Sequence, residues 1–342
     1  MANSFIKPER IAAQALGLLE REIVLPALMW RNAGGDFAGA AGDTITIRVP
    51  ARTTARTRVL RGARAYNTSV TSADGTTDTN VAGAGIITMD ELTETSVDVT
   101  LDTDVYNAIP ITDEELTLDI TDFGRQIAEP QVRAIAEGVE NAVVAEMTGA
   151  PFHPDHQLYF DPEATATTGV GPYDALVDAR VLLNKANVPR NERYLVVGSD
   201  WEGVILKSDD LHEADKSGSD SALRDADIGR IAGFSRVIVS NALPSDQAIA
   251  FHRTAFVLGM RAPAVPAGAS FGASRSAFGL SMRWIRDYDF RNVQDRSLFD
   301  VYIGTNHVAD GPEADPDGAG PGTTGPSVVR AVKLTLGADP TP

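Results

Sequence analysis

Apolar residues recur at helical spacing in several stretches. Residues 8–22 carry Ile11, Ala15, Leu18 and Leu19 as a stripe with polar flanks, and Pro8 suits a first helical turn. Residues 112–147 are the longest helical stretch. Thr112 followed by Glu115 fits a capping box, and Asp113 and Glu114 suit the N-terminal end of the helix dipole. Pro130 should kink or split this helix, whose second half puts Val132, Ile135, Ala136, Val139, Val143 and Met147 on one face. Residues 172–186 repeat the period with Leu176, Ala179, Val181, Leu182 and Leu183 apolar. A shorter helix, opened by Ser199 or Asp200, is expected over 200–207, and 222–231 reads as helix or turn.

Other stretches alternate. Residues 43–50 (DTITIRVP) and 96–102 (SVDVTLD) read as half-buried strands, with a further strand over 106–112. A short buried strand is expected over 193–197, and further strands over 233–240, 248–256, 279–285 and 297–303, the last two joined by a charged turn at 286–292. Residues 66–85 read as a long exposed loop, 152–171 as a loop, 211–221 as a polar stretch and 262–268 as a proline-bearing connection. A Gly/Pro/acidic linker follows from 308 to 327 and leads to one strand-like segment, SVVRAVKLTLG. Residues 43–111 therefore form a strand, a polar excursion and returning strands. They have too few aromatics and leucines to bury much surface alone, which calls for a partner such as another subunit.

Composition sharpens this picture. The chain has 342 residues, 47 acidic and 30 basic side chains, a net charge of −17 and no cysteine. That length suggests two or three domains. The absence of Cys removes disulfide scaffolds, thiolate nucleophiles and cysteine zinc sites. The acidic balance argues against gripping nucleic acid through phosphate neutralisation. With no long apolar run and no signal-peptide shape at the N-terminus, the expectation is a soluble intracellular protein. The charge is also unevenly placed. Within 44–73 the only charged residues are Arg48, Arg52, Arg56, Arg58, Arg61 and Arg64. Within 74–122 there are 13 acids, including Asp90, Glu91, Glu94 and Asp98, and no base. One reading is two solvated strand faces pairing in one hairpin. Another is complementary surfaces that meet between copies. A third, an RNA-binding arginine arm, lacks interleaved aromatics beyond Tyr66.

The search for chemistry yields no assembled site. His153 and His156 are the one local histidine cluster, without a third metal ligand near in sequence, so solvated loop histidines are the simpler reading. Residues 82–87 lack the third glycine of a dinucleotide fingerprint, and there is no P-loop or GxSxG. Asp287 and Asp289, between Arg286 and Arg291, read as a surface ion-pair cluster. No catalytic residue, cofactor or metal is expected.

Several segments, in order, resemble a known family: KPERIAAQAL at 7–16, GDTITIRVP at 42–50, IPITDEE at 109–115 leading into the long helix, PRNERYLVV at 189–197, IGRIAGF at 228–234 with VSNALP at 239–244, and AFHRTAF at 250–256 followed by Arg261-Ala-Pro. Together these resemble the major capsid (coat) proteins of tailed double-stranded DNA bacteriophages, in the branch of short-tailed phage coat proteins, over roughly residues 5–304. The resemblance implies an α+β Johnson fold. Its parts would be an N-terminal arm (1–42), an extended β-hairpin loop (43–111), a peripheral domain with a long spine helix (112–170 and 262–304) and an axial domain (171–261). Residues 305–342 would be a linker and strand-like tail without a counterpart, free to bind the shell surface or a cementing protein. It implies an icosahedral shell of hexamers and pentamers enclosing genomic dsDNA without tight binding, assembled in the host bacterial cytoplasm. The hairpin would lie over a neighbouring subunit, making Arg48, Arg52, Arg56, Arg58, Arg61, Arg64, Asp90, Glu91, Glu94 and Asp98 inter-subunit contacts. The chain departs from some relatives in three ways. There is no room for an inserted domain over 198–222. The arm helix begins near Pro8, pointing to a separate scaffolding protein beside a portal. None of the five lysines lies in the hairpin, against covalent cross-linking there. Competing readings are an encapsulin-like compartment of the same fold and a phage-encoded enzyme.

Overall fold

The computed structural model describes residues 24–31, 44–49, 70–71, 77–78, 95–116, 123–162, 171–208, 230–269, 271–277, 280–309 and 327–337. The expected arm helix at 8–22, the arginine-rich stretch after 50, the polar stretch at 211–221 and nearly all of 222–231 and of the 308–327 linker lie outside them. In chain order the elements are α1 (Leu25–Leu28), β1 (Trp30–Arg31), β2 (Thr44–Val49), β3 (Val70–Thr71), β4 (Thr77–Asp78), β5 (Thr95–Thr100), β6 (Thr103–Thr112), α2 (Glu129–Gly149), β7 (Gln157–Phe160), α3 (Pro172–Lys185), β8 (Arg193–Val197), α4 (Ser199–Leu206), β9 (Arg236–Val239), β10 (Gln247–His252), β11 (Phe256–Arg261), β12 (Phe271–Ala277), β13 (Leu280–Asp289), β14 (Gln294–His307) and β15 (Ala331–Leu336). The chain divides into two compact units, Met1–Ile45 with Asp98–Pro342, and Thr46–Val97.

In the smaller unit, β3 and β4 pair antiparallel within the expected loop. The larger unit holds two sheets. The six-stranded sheet is organised on β14. Along one edge β6 runs antiparallel opposite residues 294–303. The other edge is shared end to end by β13, opposite 294–300, and β11, opposite 302–307. β12 continues from β13, and β1 joins β11 in parallel. The five-stranded sheet has the order β7-β15-β10-β8-β9.

The capping box forms as expected: the Thr112 N–H and Oγ1 donate to Glu115 Oε2 at 2.9 Å each, and the Glu115 N–H returns to Thr112 Oγ1 at 3.3 Å. The expected break at Pro130 is a change of winding. Residues Gly124–Ala128 form a π-helical turn, and Pro130 opens the α-helical segment, where its missing N–H and bulky ring are tolerated. One face of α2 buries Val132, Ile135, Val139, Val143 and Met147 against Phe256, Leu258, Met282, Trp284, Phe299 and Val301 of the six-stranded sheet. Gln131 on that face is also fully buried. Its Nε2 donates to the carbonyls of Asn107 (3.2 Å) and Ser297 (3.0 Å), and its Oε1 accepts from Ser297 Oγ at 2.8 Å. Ser297 Oγ accepts in turn from Trp284 Nε1 at 3.1 Å. One side chain thus ties α2 to β6, β13 and β14.

The five-stranded sheet is covered on both faces. Val196, Ile249, Phe251 and Ala331 join the α2 core, while Leu195, Val197, Ala248, Ala250, Val332 and Leu334 face a second core. Leu176, Ala179 and Leu183 of α3 and Trp201 and Ile205 of α4 complete that second core. Val181, one of the apolar residues of α3, is exposed. Helix α4 starts one residue earlier than expected, after Gly198. A Cβ there would sit 2.3 Å from the Pro244 carbonyl oxygen, so only glycine allows this approach.

Sorting by sheet corrects several expectations. Residues 152–171 are not simply a loop, because β7 pairs parallel with β15. β11 and β12, unread in the sequence, belong to the six-stranded sheet, so that sheet takes a strand from within 171–261, whereas the five-stranded sheet takes β7 from within 112–170. Most importantly, the strand-like segment expected at 327–337 forms, and it belongs to the five-stranded sheet rather than to a separate tail. β15 lies between β7 and β10, its Ala331, Val332 and Leu334 fully buried. The charged turn at 286–292 is narrower than expected, since β13 runs to Asp289 and β14 starts at Gln294. The strands extend because their charges pair across the ladder. Arg283 Nε donates to Asp300 Oδ1 at 2.9 Å, Arg286 Nε to Asp295 Oδ2 at 2.9 Å, and Arg296 Nη2 to Asp287 Oδ2 at 3.3 Å.

Two predictions follow from β14 and its neighbours. Gln131→Leu keeps the side-chain volume but leaves buried partners unpaired; unassembled subunits should lose about 2 kcal/mol in chemical denaturation. An unchanged midpoint would show that the knot is replaceable. On β6, burial first and the neighbouring Asp300 carboxylate second raise the Asp104 pKa, against the pull of Arg283. The cost falls on the charged form, so it is present above the raised pKa and absent below the ordinary value of 3.8. Asp104→Asn should therefore raise the melting temperature near neutral pH, and the gain should shrink as pH falls toward 3.8.

Candidate assembly surfaces

The ten charged residues expected at inter-subunit contacts are only partly described. Arg48 lies on β2 and Asp98 on β5, and these two strands form a two-stranded sheet. The hydroxyls of Thr44 and Thr100, 3.0 Å apart, hydrogen-bond between them. β5 alternates as its sequence predicts: Val97 and Val99 are buried, Ser96, Asp98 and Thr100 exposed. The Asp98 carbonyl accepts from Asn306 Nδ2 at 2.6 Å, which anchors β5 to the end of β14. Next to it, Gly304 admits the crossing chain, since a Cβ there would lie 2.0 Å from the Thr100 oxygen. Arg52, Arg56, Arg58, Arg61, Arg64, Asp90, Glu91 and Glu94 lie outside the described residues.

His153 caps and His156 ends a 3-10 turn, Pro154–His156, and the pair is structural rather than solvated. Both rings are buried, 5.9 Å apart and edge to face. His156 Nδ1 lies 3.2 Å from the Ala331 carbonyl oxygen, tying the turn to β15, and His153 Nδ1 accepts from the Asp155 N–H at 3.3 Å. Among the described residues no group of three or more potential ligands could hold a metal ion. His252 also caps a turn through Nδ1, 2.8 Å from Thr254 Oγ1, and burial first, then Arg330, pull its pKa down. A groove of about 380 Å³ lies between α1, α2 and the end of β9. Glu137 and Glu140 line it, and Glu140 accepts the N–H groups of Val24 (2.8 Å) and Leu25 (3.2 Å) through Oε1, so it serves as a helix cap.

The expected ion-pair cluster at 286–291 exists, with partners the linear sequence does not reveal. Asp287 and Asp289 face Arg296, at 3.3 and 3.8 Å, and Arg286 faces Asp295. The Arg286 guanidinium also lies 5.0 Å from the Phe123 ring centre. The Asp300 carboxylate hydrogen-bonds Arg283 and raises its pKa. These pairs are structural, and a further pair, His307 Nδ1 with Glu146 Oε1 at 2.7 Å, ties the end of β14 to α2. The arrangement is that of a building block: interlocked sheets, a helix with a polar knot, and charged strands near the surface.

The comparisons agree with that architecture. A family model described as phage capsid protein matches residues 94–319. A search of curated proteins finds no match. Among solved structures, a chain of Mycobacterium phage Che8 aligns at 18% identity with a TM-score of 0.58, covering 91% of this chain and 90% of that one. The capsid structure of cyanophage P-SCSP1u aligns at 11% identity and a TM-score of 0.58, covering 99% and 91%. The capsid of Ralstonia phage GP4 aligns at 12% and 0.53, covering 92% and 88%. Such likenesses establish the α+β Johnson fold, and the family match extends over about two thirds of the chain. This chain belongs to the phage capsid protein family: it is a structural, self-assembling major capsid protein of the virion's head shell, not an enzyme.

Proposed function

We propose that the chain closes into hexamers and pentamers of an icosahedral head, and that residues 43–111 form the hairpin that each subunit lays on a neighbour. The observation that carries this reading is the separate compact unit Thr46–Val97. It contains all six arginines of the basic stretch together with Asp90, Glu91 and Glu94, and Asp98 directly follows it. A small unit with so few large apolar residues gains by covering a second subunit, and opposed patches set its register there. Residues 1–42 serve as the arm. The six-stranded sheet with α2 serves as the peripheral domain, and the five-stranded sheet with α3 and α4 as the axial domain. Assembly takes place in the host bacterial cytoplasm around a separate scaffolding protein and a portal, in the manner of the short-tailed branch. A cementing protein is a further partner on the outer surface. The acidic balance keeps the shell lining from trapping the DNA during packaging.

The test is Arg56→Ala, Arg58→Ala and Arg61→Ala combined. Exposed ion pairs contribute at most about 1 kcal/mol each, so up to about 3 kcal/mol per subunit contact is at stake. Shells of the variant should dissociate at lower salt than the parent, while the melting of unassembled subunits stays unchanged. Equal salt resistance would make the arginines ordinary solvated surface.

A further inference from the structure

The five-stranded sheet is charged in opposite senses at its two ends. By their registers, β7, β15, β8 and β9 start, and β10 finishes, at the same end. That end carries Arg190 just before β8, Arg193 at its start, Arg236 at the start of β9, His252 and Arg253 at the finish of β10, and Arg330 just before β15. The acids there are Asp155 and Glu192, and Glu192 is engaged by Arg253 at 3.0 Å. At the other end the charged residues flanking the strands include Asp161, Asp200 and Asp246, and among the described residues none of them is basic. Within a chain of net charge −17, the first end is a local reversal of sign.

Arg193 is the centre of this basic end. It is 1% exposed. Its Nε and Nη2 cap the C-terminal end of α3, donating to the Pro189 and Val188 carbonyls at 2.8 and 2.6 Å. Its Nη1 is buried as well and has no acceptor among the described residues. Burial first, then Arg180 and Arg190, push its pKa down, so the neighbours add charge of the same sign. A buried cation crowded by two further cations is costly unless an anion joins them. Arg180 is fixed in place: its Nη1 donates to the Ala232 carbonyl at 3.0 Å, in the turn that leads to Ser235, whose own N–H donates to the Arg193 carbonyl at 2.8 Å. Gly233 leaves room for that guanidinium, since a Cβ there would stand 2.3 Å from Arg180 Nη1. Arg190 and Arg236 are exposed beside it.

We propose that the basic end of the five-stranded sheet is a site for one phosphate-class oxyanion, held between Arg180, Arg190 and Arg193, with Arg236 at its rim. Guanidinium groups suit this ligand because their planar N–H forks match its oxygens and they stay charged when buried. Arg193 Nη1 is the donor that the helix cap holds in position, and the exposed Arg190 closes on the ligand from outside. A free phosphate ion and a phosphate of a nucleic-acid backbone present the same oxygens. Once bound, the anion offsets the repulsion among the arginines and ties α3, β8 and the 231–234 turn together, so it stabilises the subunit.

The test melts unassembled full-length subunits in sodium phosphate and in sodium chloride of equal ionic strength and pH. The site predicts a melting temperature that rises with phosphate and saturates, with no such rise in chloride. Calorimetric titration with inorganic phosphate should find one ion per subunit. Arg190→Gln, at an exposed position with no ion pair among the described residues, should melt like the parent in chloride and bind phosphate about tenfold more weakly, as for the loss of one charge-assisted hydrogen bond. Arg133→Gln, on the exposed side of α2, should bind phosphate like the parent. A short DNA duplex is then added as competitor. Displacement of phosphate that weakens with salt assigns the oxyanion to a nucleic-acid backbone, and phosphate retained beside the duplex assigns it to the free ion; both outcomes support the site. A rise that chloride reproduces, or one that persists undiminished in Arg190→Gln, overturns the inference.

Discussion

Strand β14 is the member on which the subunit depends. It has fourteen residues and hydrogen-bonded neighbours along both edges: β6 on one, β13 and β11 in succession on the other. A strand so placed leaves few backbone groups to solvent, and its inward side chains must face something apolar. Helix α2 provides that cover. The Gln131 knot makes the cover specific, because its partners lie on three different strands and a slip in register would separate them. The charged residues of the same strands, Arg283 with Asp300 and Asp287 with Arg296, sit directly opposite one another and favour the same register.

The two sheets are not independent. Alternate residues of β8 and β10 point into different cores: Val196 and Ile249 toward α2, Leu195, Val197, Ala248 and Ala250 toward α3 and α4. The five-stranded sheet is therefore a wall shared by both cores, and a change in one is felt in the other. Its order places β15, the last described strand, between β7 and β10. The sheet cannot close until residues 331–336 pair with β7 and β10, which makes its completion a long-range event. A subunit destined for a large shell gains from this arrangement, since pairing on both sides leaves β15 no open edge for mispairing between copies.

Much of this was legible in the sequence. The period of α2, the capping box at Thr112 and Glu115, the alternation of β5 and the apolar run of β8 all predict elements that form, because each signal is local. The order of short segments identifies the family where no single motif does. What escaped was set by distant partners. β7 has four residues and exists by pairing with β15, some 170 residues later. β12, with sequence FGASRSA, has little β propensity and is held by β13. The strand-like segment after the linker is legible as a strand, but a polar connection says nothing about where that strand docks. Gln131 and Arg193 read as surface residues by type and are buried because carbonyls wait for them; Arg193 donates to those of Pro189 and Val188, at 2.8 and 2.6 Å. Of the ten charged candidates, the described structure brings two, Arg48 and Asp98, onto paired strands.

The charge of the chain then acquires two separate meanings. Screening at physiological salt shortens electrostatic reach to about 8 Å, so the net −17 matters mainly where copies come within touching distance. At such distances a shell subunit has two ways to avoid self-repulsion. It can set positive against negative, as the partition between 44–73 and 74–122 allows. It can also balance its charges internally and present an apolar end, as residues 286–296 do with three arginines, three aspartates and an exposed Phe290. The first way gives register and dependence on salt. The second gives burial that salt does not weaken, since the apolar term strengthens rather than fades as ions are added. A shell without cysteine cannot be held by disulfides and has reason to use both.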